Sequence, residues 1–231
     1  VRAAGDKLIM EFGSRRAQGY DAAILGARAT YIGGCGATAC AITDRDYGVP
    51  AVGTMAHSWV QMFDSEYEAF KAYADIYPDN CVFLVDTYNV LKSGVPNAIR
   101  VAKELEAEKG IRARGIRLDS GDLAYLTKKA RKMLDDAGFE DAIISASSDL
   151  DEYLIDSLLS QGACIDSWGV GTNLITSKNT PAFGGVYKLS AIKNENGEFI
   201  PKIKIGAFCN CKLYLINPLN SEEFSMKENF S

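Results

Sequence analysis

The chain has 231 residues, room for one large α/β domain or two small ones, and its 47% hydrophobic and 24% charged residues suit a folded globular protein. A net charge of -5 leaves no basic excess to neutralise a nucleic-acid backbone, although a small phosphorylated ligand needs only a few local donors. No apolar run approaches the roughly 20 residues of a membrane span. One histidine and six scattered cysteines without a CxxC pair argue against a metal centre and for a reduced, cytoplasmic protein.

The chain opens on Val1-Arg2-Ala3-Ala4-Gly5, neither an initiator methionine nor a leader, and is expected to begin inside a longer domain. Phe12 with Arg15 and Arg16 in EFGSRRAQG pairs a ring with two guanidinium groups, which suits a flat anionic ring or an exposed helix start. Residues 50–53 read as a buried strand, followed by the loop GTMAHS with Thr54 and the single histidine, His57. Ser65 with Glu68 forms a capping box opening a helix that must stop before Pro78.

The pattern then repeats. Strand 81–85 leads to the polar run 86–89, and Pro96 starts a helix with Ile99, Ala102 and Leu105 on one face and Gly110 as terminator. Strand 113–118 leads into Arg117-Leu118-Asp119-Ser120-Gly121-Asp122. If the strand ends at Leu118, Arg117 and Asp119 both reach the rim, and the helix beginning after Ser120 presents amides to an anion. That helix carries Leu123, Leu126, Ala130 and Met133 and ends at Gly138. Strand 142–145 precedes Ser147 and Ser148. Asp149 with Glu152 then caps a helix facing Leu150, Tyr153, Leu154 and Leu158 inward, and Gly162 closes it. Strand 164–168 is followed by Gly169-Val170-Gly171-Thr172, the parts of a phosphate cradle. Gly184, Gly185 and Lys188 offer a further close approach. A hairpin between 186–192 and 199–205 turns at Asn194 to Glu198, and an atypical tail occupies 206–231.

Strand starts about every 20 to 30 residues are the spacing of βα units, and such alternation predicts a parallel sheet with helices outside. Because the polar runs follow strands and gather on one rim, the expectation is a closed or nearly closed (β/α) barrel, rather than a doubly wound sheet, over residues 1–205 with a short hairpin at its end.

In order, FGSRRAQG, GTMAHSWV, DTYN, RLDSGDL, SSDLDE, SWGVGTNL and GGVYKL resemble the nicotinate phosphoribosyltransferase family over roughly residues 5–205. The resemblance implies an irregular barrel of the type II phosphoribosyltransferases. It further implies formation of nicotinate mononucleotide and pyrophosphate from nicotinate and phosphoribosyl pyrophosphate, coupled to ATP hydrolysis through a phosphohistidine. By motif, His57 is the phosphorylated residue, Thr54 helps to hold nicotinate, and Arg117 meets nicotinate or the ribose-phosphate region. Asp119 contacts the ribose, Gly171 and Thr172 the phosphate, and Ser148 ribose or phosphate. Phe12 stacks on the pyridine ring, with Arg15 near the carboxylate or phosphate. The resemblance also implies Mg2+ held mainly through pyrophosphate, and a homodimer with the active site near the interface.

Nicotinamide-using relatives carry an aspartate in the loop equivalent to 33–36, where none stands here between Tyr31 and Ile42, so nicotinate is favoured. The GTMAHS loop speaks against a quinolinate-using relative. The family's N-terminal segment, with its ring-stacking tyrosine, has no match in this chain. A truncated, non-catalytic domain that binds phosphoribosyl pyrophosphate or a protein partner is the alternative from another class.

Overall fold

A computed structural model describes residues 1–182, 189 and 191–202. They belong to two compact units divided after Pro181. In the first, β1 (Leu8–Glu11), α1 (Tyr20–Ile32), β2 (Ala37–Thr38), α2 (Ala41–Tyr47), α3 (His57–Gln61) and α4 (Glu66–Ile76) come first. They are followed by β3 (Val82–Leu84), α5 (Val95–Lys109), β4 (Gly115–Leu118), α6 (Leu123–Asp136), β5 (Ile143–Ser148), α7 (Glu152–Ser160), β6 (Ser167–Val170) and α8 (Thr172–Ile175).

The strands form one six-stranded parallel sheet in the order β2-β1-β6-β5-β4-β3. The expected strand at 50–53 is reduced to a single bridge of Ala51 onto Thr38. Downstream of that bridge, Arg117 at the end of β4 donates from Nη1 to Thr54 Oγ1 at 2.5 Å. His57 Nδ1 lies 3.1 Å from Thr87 Oγ1, past the end of β3. The segment after the Ala51 bridge is thus tied by side chains to β4 and to the loop after β3. Among the described residues no backbone ladder connects the Ala51 edge to β3, which is the irregularity of this barrel.

The two faces of the sheet differ in kind. Ile9, Trp168, Ala146, Ile144, Ile116 and Phe83 follow one another across the register on the face under the helices, all buried. Fully burying an aliphatic or aromatic side chain stabilises by about 1.5–3 kcal/mol. The opposite face carries Gly169, Ser147, Ser145, Ser167 and Arg117, a small and polar set that leaves room at the rim.

The capping box holds: Ser65 Oγ accepts from Glu68 N at 3.2 Å. In α5, Pro96 stands in the first turn and Gly110 closes the helix at φ 68, with Val95, Ala98, Val101, Ala102 and Leu105 buried. In α6, Leu123 and Ala130 are buried as expected, while Leu126 and Met133 pack on the core from its edge.

The expectations for five elements need correction. The N-cap of α7 is Asp151, whose side chain accepts from Leu154 N at 2.8 Å, rather than Asp149. Starting the helix there turns Ile155 and Leu158 inward and leaves Tyr153 and Leu154 exposed. β5 and β6 begin later than expected and run on to Ser148 and Val170, because backbone pairing continues under polar and glycine residues alike. Finally, β1 and β2 give no long apolar run, yet β1 sits inside the sheet with a partner on each side.

In the second unit, β7 (Ala191–Lys193) and β8 (Phe199–Pro201) pair antiparallel. Asn194 Oδ1 accepts from the Asn196 and Glu198 amides, and Gly197 takes φ 82 to complete the turn expected there. Gly184, Gly185, Lys188, Cys209, Cys211 and the tail 206–231 lie outside the described residues.

Candidate active site

Three loops beyond the strand ends meet over the polar face of the sheet. The helix α3 begins at His57 itself, which sets the imidazole at the mouth of the Thr54 to Ala56 loop. His57 Nε2 faces two carboxylates, Asp119 Oδ2 at 3.6 Å and Asp86 Oδ1 at 3.9 Å. The His57 side chain is 38% exposed, whereas that of Asp86 is 1% exposed.

Asp86 is the hub of this cluster. Its Oδ2 accepts from the Asp119 backbone N–H at 3.0 Å and from the Ser120 hydroxyl, so it ties the loop after β3 to the loop after β4. Its Oδ1 is buried without a hydrogen-bond partner. Asp119 in turn accepts from the Ser147 hydroxyl on β5 through Oδ1, which leaves Oδ2 turned toward His57.

Arg117 completes the charge balance. It is held by Thr54, and its Nε is buried without a partner. Burial lowers the pKa of its guanidinium, and the nearby carboxylates of Asp119 and Asp86 oppose that fall. The strand ends at Leu118, the alternative in which Arg117 and Asp119 both reach the rim. The helix start after Ser120 is less open than expected. Asp122 caps α6 with its own carboxylate on Tyr125 N, placing a negative charge where an anion was expected.

Phe12 approaches from the other side. Its backbone N–H donates to Val170 O at 2.8 Å, and its ring lies over Gly169. A Cβ at Gly169 would stand 2.5 Å from Phe12 Cδ2 and 3.2 Å from Ser147 Cβ, so the ring, the glycine and the serine that holds Asp119 are neighbours. Gly171 and Thr172 open α8 without a side-chain cap, beside the Phe12 carbonyl. Ser148 is exposed and held at φ 138, a conformation that costs a non-glycine residue energy. Arg15 lies exposed on a short 3-10 helix and has no hydrogen bond or ion pair among the described residues.

The structure thus gathers Thr54, His57, Arg117 and Asp119 into one cluster, with Phe12 reaching it through Ser147, whereas Ser148, Gly171 and Thr172 stand at the ends of β5 and β6 and Arg15 stands apart. Asp86, Thr87, Ser120 and Ser147 fall in polar runs that the sequence displays, but it gives their side chains no role. The DTYN run was legible as a rim motif, but nothing in it says that its aspartate points inward. The arrangement offers an imidazole nucleophile whose developing positive charge is offset by two carboxylates. A guanidinium and several hydroxyls stand beside it for an anionic ligand.

Residues 8–199 match the model of the nicotinate phosphoribosyltransferase (NAPRTase) family. The chain belongs to that family. It is 58% identical over 203 residues to a nicotinate phosphoribosyltransferase of Bacillus subtilis (strain 168), covering 88% of this chain and 41% of the relative. It is 48% identical over 191 residues to a nicotinate phosphoribosyltransferase of Mycobacterium tuberculosis (strain ATCC 25618 / H37Rv), covering 83% of this chain and 40% of the relative. The crystal structure of human nicotinic acid phosphoribosyltransferase superposes with a TM-score of 0.68 at 29% identity, covering 73% of this chain and 44% of that one. The chain spans about two-fifths of the length of these curated relatives. No described helix is long and apolar enough to cross a membrane.

Proposed function

We propose that this chain carries the catalytic core of a nicotinate phosphoribosyltransferase of NAD biosynthesis. Nicotinate and phosphoribosyl pyrophosphate give nicotinate mononucleotide and pyrophosphate, in the cytoplasm and in a homodimer. The observation that carries the reading is the cluster of His57, Asp86, Asp119 and Arg117 on the rim of a family barrel.

The pyridine nitrogen of nicotinate attacks the anomeric carbon as the bond to pyrophosphate breaks, and pyrophosphate leaves with the electron pair. Positive charge develops on the ribose, so the work of the protein is placement and electrostatics. Phe12 stacks on the pyridine ring and Thr54 helps to hold nicotinate, with Arg117 on its carboxylate or the ribose-phosphate. Asp119, fixed by Ser147 and Asp86, faces the ribose where that charge appears. Gly171 and Thr172 receive the phosphate, with Ser148 and Arg15 as further contacts.

His57 takes the γ-phosphoryl of ATP on a ring nitrogen, ADP leaves, and later hydrolysis to inorganic phosphate draws the reaction forward. Mg2+ would draw most of its ligands from pyrophosphate rather than from the protein. The Asp86 and Asp119 oxygens fit as supplementary partners. When bound, the ion neutralises pyrophosphate charge.

The test is to incubate the full-length purified protein with nicotinate, phosphoribosyl pyrophosphate, ATP and magnesium. Nicotinate mononucleotide is expected, together with acid-labile phosphate on the protein that His57→Ala abolishes. Product from nicotinamide in preference to nicotinate would refute the substrate. Saturable binding of phosphoribosyl pyrophosphate without product would make the chain a binding domain.

A further inference from the structure

Glu11 is a carboxylate in an unexpected place. It ends β1, is fully buried, and belongs to the helix-facing side of the sheet rather than to the rim. It has no arginine, lysine or histidine partner among the described residues. A buried acid without a cation is costly unless hydrogen bonds satisfy it. Here they do: Oε1 accepts from the Gly13 backbone N–H, and Oε2 accepts from the Thr38 hydroxyl at 2.6 Å. Thr38 Oγ1 is itself fixed by the Cys40 N–H at 3.0 Å, and the Ala39 N–H donates to the Glu11 carbonyl at 2.8 Å.

These bonds define the turn that follows. Phe12 lies between the acid and the amide it holds, so the Glu11 carboxylate closes a three-residue loop around the aromatic residue. The loop is further constrained because a Cβ at Gly13 would stand 2.6 Å from Ile175 and 2.7 Å from the Gly171 carbonyl. The ring is thereby held over Gly169, next to the serine that positions Asp119.

We infer that Glu11 is a positioning residue for the aromatic ring-binding side of the site, acting through Phe12, with Thr38 as its anchor on the neighbouring strand. This inference rests on the nicotinate reading for the identity of the ligand, but not for the geometry of the turn. The same bonding explains why an acid so close to the 33–36 loop offers nothing to a ligand: both of its oxygens are occupied and it is fully buried.

The test is carried out in the full-length enzyme. In Glu11→Gln the amide oxygen keeps the Gly13 N–H and its NH2 turns to the Thr38 hydroxyl oxygen, so a neutral acceptor replaces an ionised one at Gly13 and the Thr38 hydroxyl loses the acceptor it donates to. The weakened grip on the turn corresponds to a KM for nicotinate raised about tenfold. The KM for phosphoribosyl pyrophosphate and kcat are expected to stay within about twofold, since only the ring side is moved.

Thr38→Val, milder and isosteric, is expected to shift the nicotinate KM in the same direction, and Thr38→Ser to restore it. In Glu11→Gln combined with Phe12→Ala, the KM is expected to match Phe12→Ala alone. A merely structural role would instead lower stability with KM intact, or add to the Phe12→Ala effect; either result overturns the inference. Amide exchange at Gly13 separates this from the substrate question, because it should accelerate about tenfold in Glu11→Gln whatever the enzyme acts on. If it does so in a protein that makes no nicotinate mononucleotide, the functional reading fails and the positioning role stands. Unchanged exchange refutes the role outright.

Discussion

Replacing Asp86 by asparagine isolates charge from shape at the hub of the site. The carboxylate accepts from the Asp119 amide and the Ser120 hydroxyl and faces His57 Nε2 at 3.9 Å. Asparagine can keep its carbonyl toward Asp119 and Ser120, but neutral acceptors bind about half as strongly as ionised ones, a loss of about 1 kcal/mol for each bond. Its amide then faces the imidazole where a negative charge stood. At an effective dielectric constant of about 20, the attraction of a charged imidazole at this separation is about 4 kcal/mol. Since the His57 side chain is 38% exposed, solvent screening reduces that to about 1 kcal/mol. Some of the loss is returned because asparagine costs less to bury. The sum is about 2–3 kcal/mol, a fall in kcat/KM of about 30- to 160-fold. Initial rates of nicotinate mononucleotide formation measure it, with urea unfolding run alongside to show that the fold persists. A folded Asp86→Asn protein within threefold of the parent rate would refute the electrostatic account of this cluster.

Gly169→Ala is expected to push the Phe12 ring from its seat, since the added Cβ would lie 2.5 Å from Cδ2. A stability loss of about 1–3 kcal/mol and a raised nicotinate KM should result, read by denaturation and steady-state kinetics. Ser148→Gly relieves the φ of 138 and is expected to stabilise by about 1 kcal/mol. If its hydroxyl meets ribose or phosphate, activity should fall at the same time, and a change in neither would remove both roles. Glu66 is buried on α4 with its Oε2 accepting from the Ser93 hydroxyl and its Oε1 unpartnered. Burial raises its pKa, the Ser93 and Asn97 hydrogen bonds oppose that, and the Asp86 charge adds to the rise. A raised folded-state value means stability is fully present below the unfolded value of about 4.5 and is lost as pH rises through the folded one. Glu66→Gln should therefore remove this pH dependence and be relatively more stable than the parent at neutral pH, as paired pH-dependent urea titrations would show.

Much of this protein follows from local rules that a sequence displays. Ser65, Pro96, Gly110 and Gly138 mark helix ends through capping chemistry and backbone freedom, and these signals act over a few residues whatever the rest of the chain does. The succession of βα units, the family and the lone histidine in its small-residue loop are likewise written in order along the chain. Tertiary structure decided what depends on neighbours distant in sequence. The strand Leu8–Glu11 is short and ends on an acid, and becomes an interior strand only because β2 and β6 supply partners on both sides. Asp151 rather than Asp149 caps α7, a choice between two acids that rotated its apolar face. Asp86 reads as one polar residue of a rim loop until Asp119 and Ser120, 33 and 34 residues away, bring their donors to it. Glu11 looks like a surface acid beside an arginine pair, and is a buried brace because Thr38 lies across the sheet. Hydrogen bonds to buried carboxylates are satisfied by whichever groups the fold delivers, and a linear pattern carries no record of which those will be.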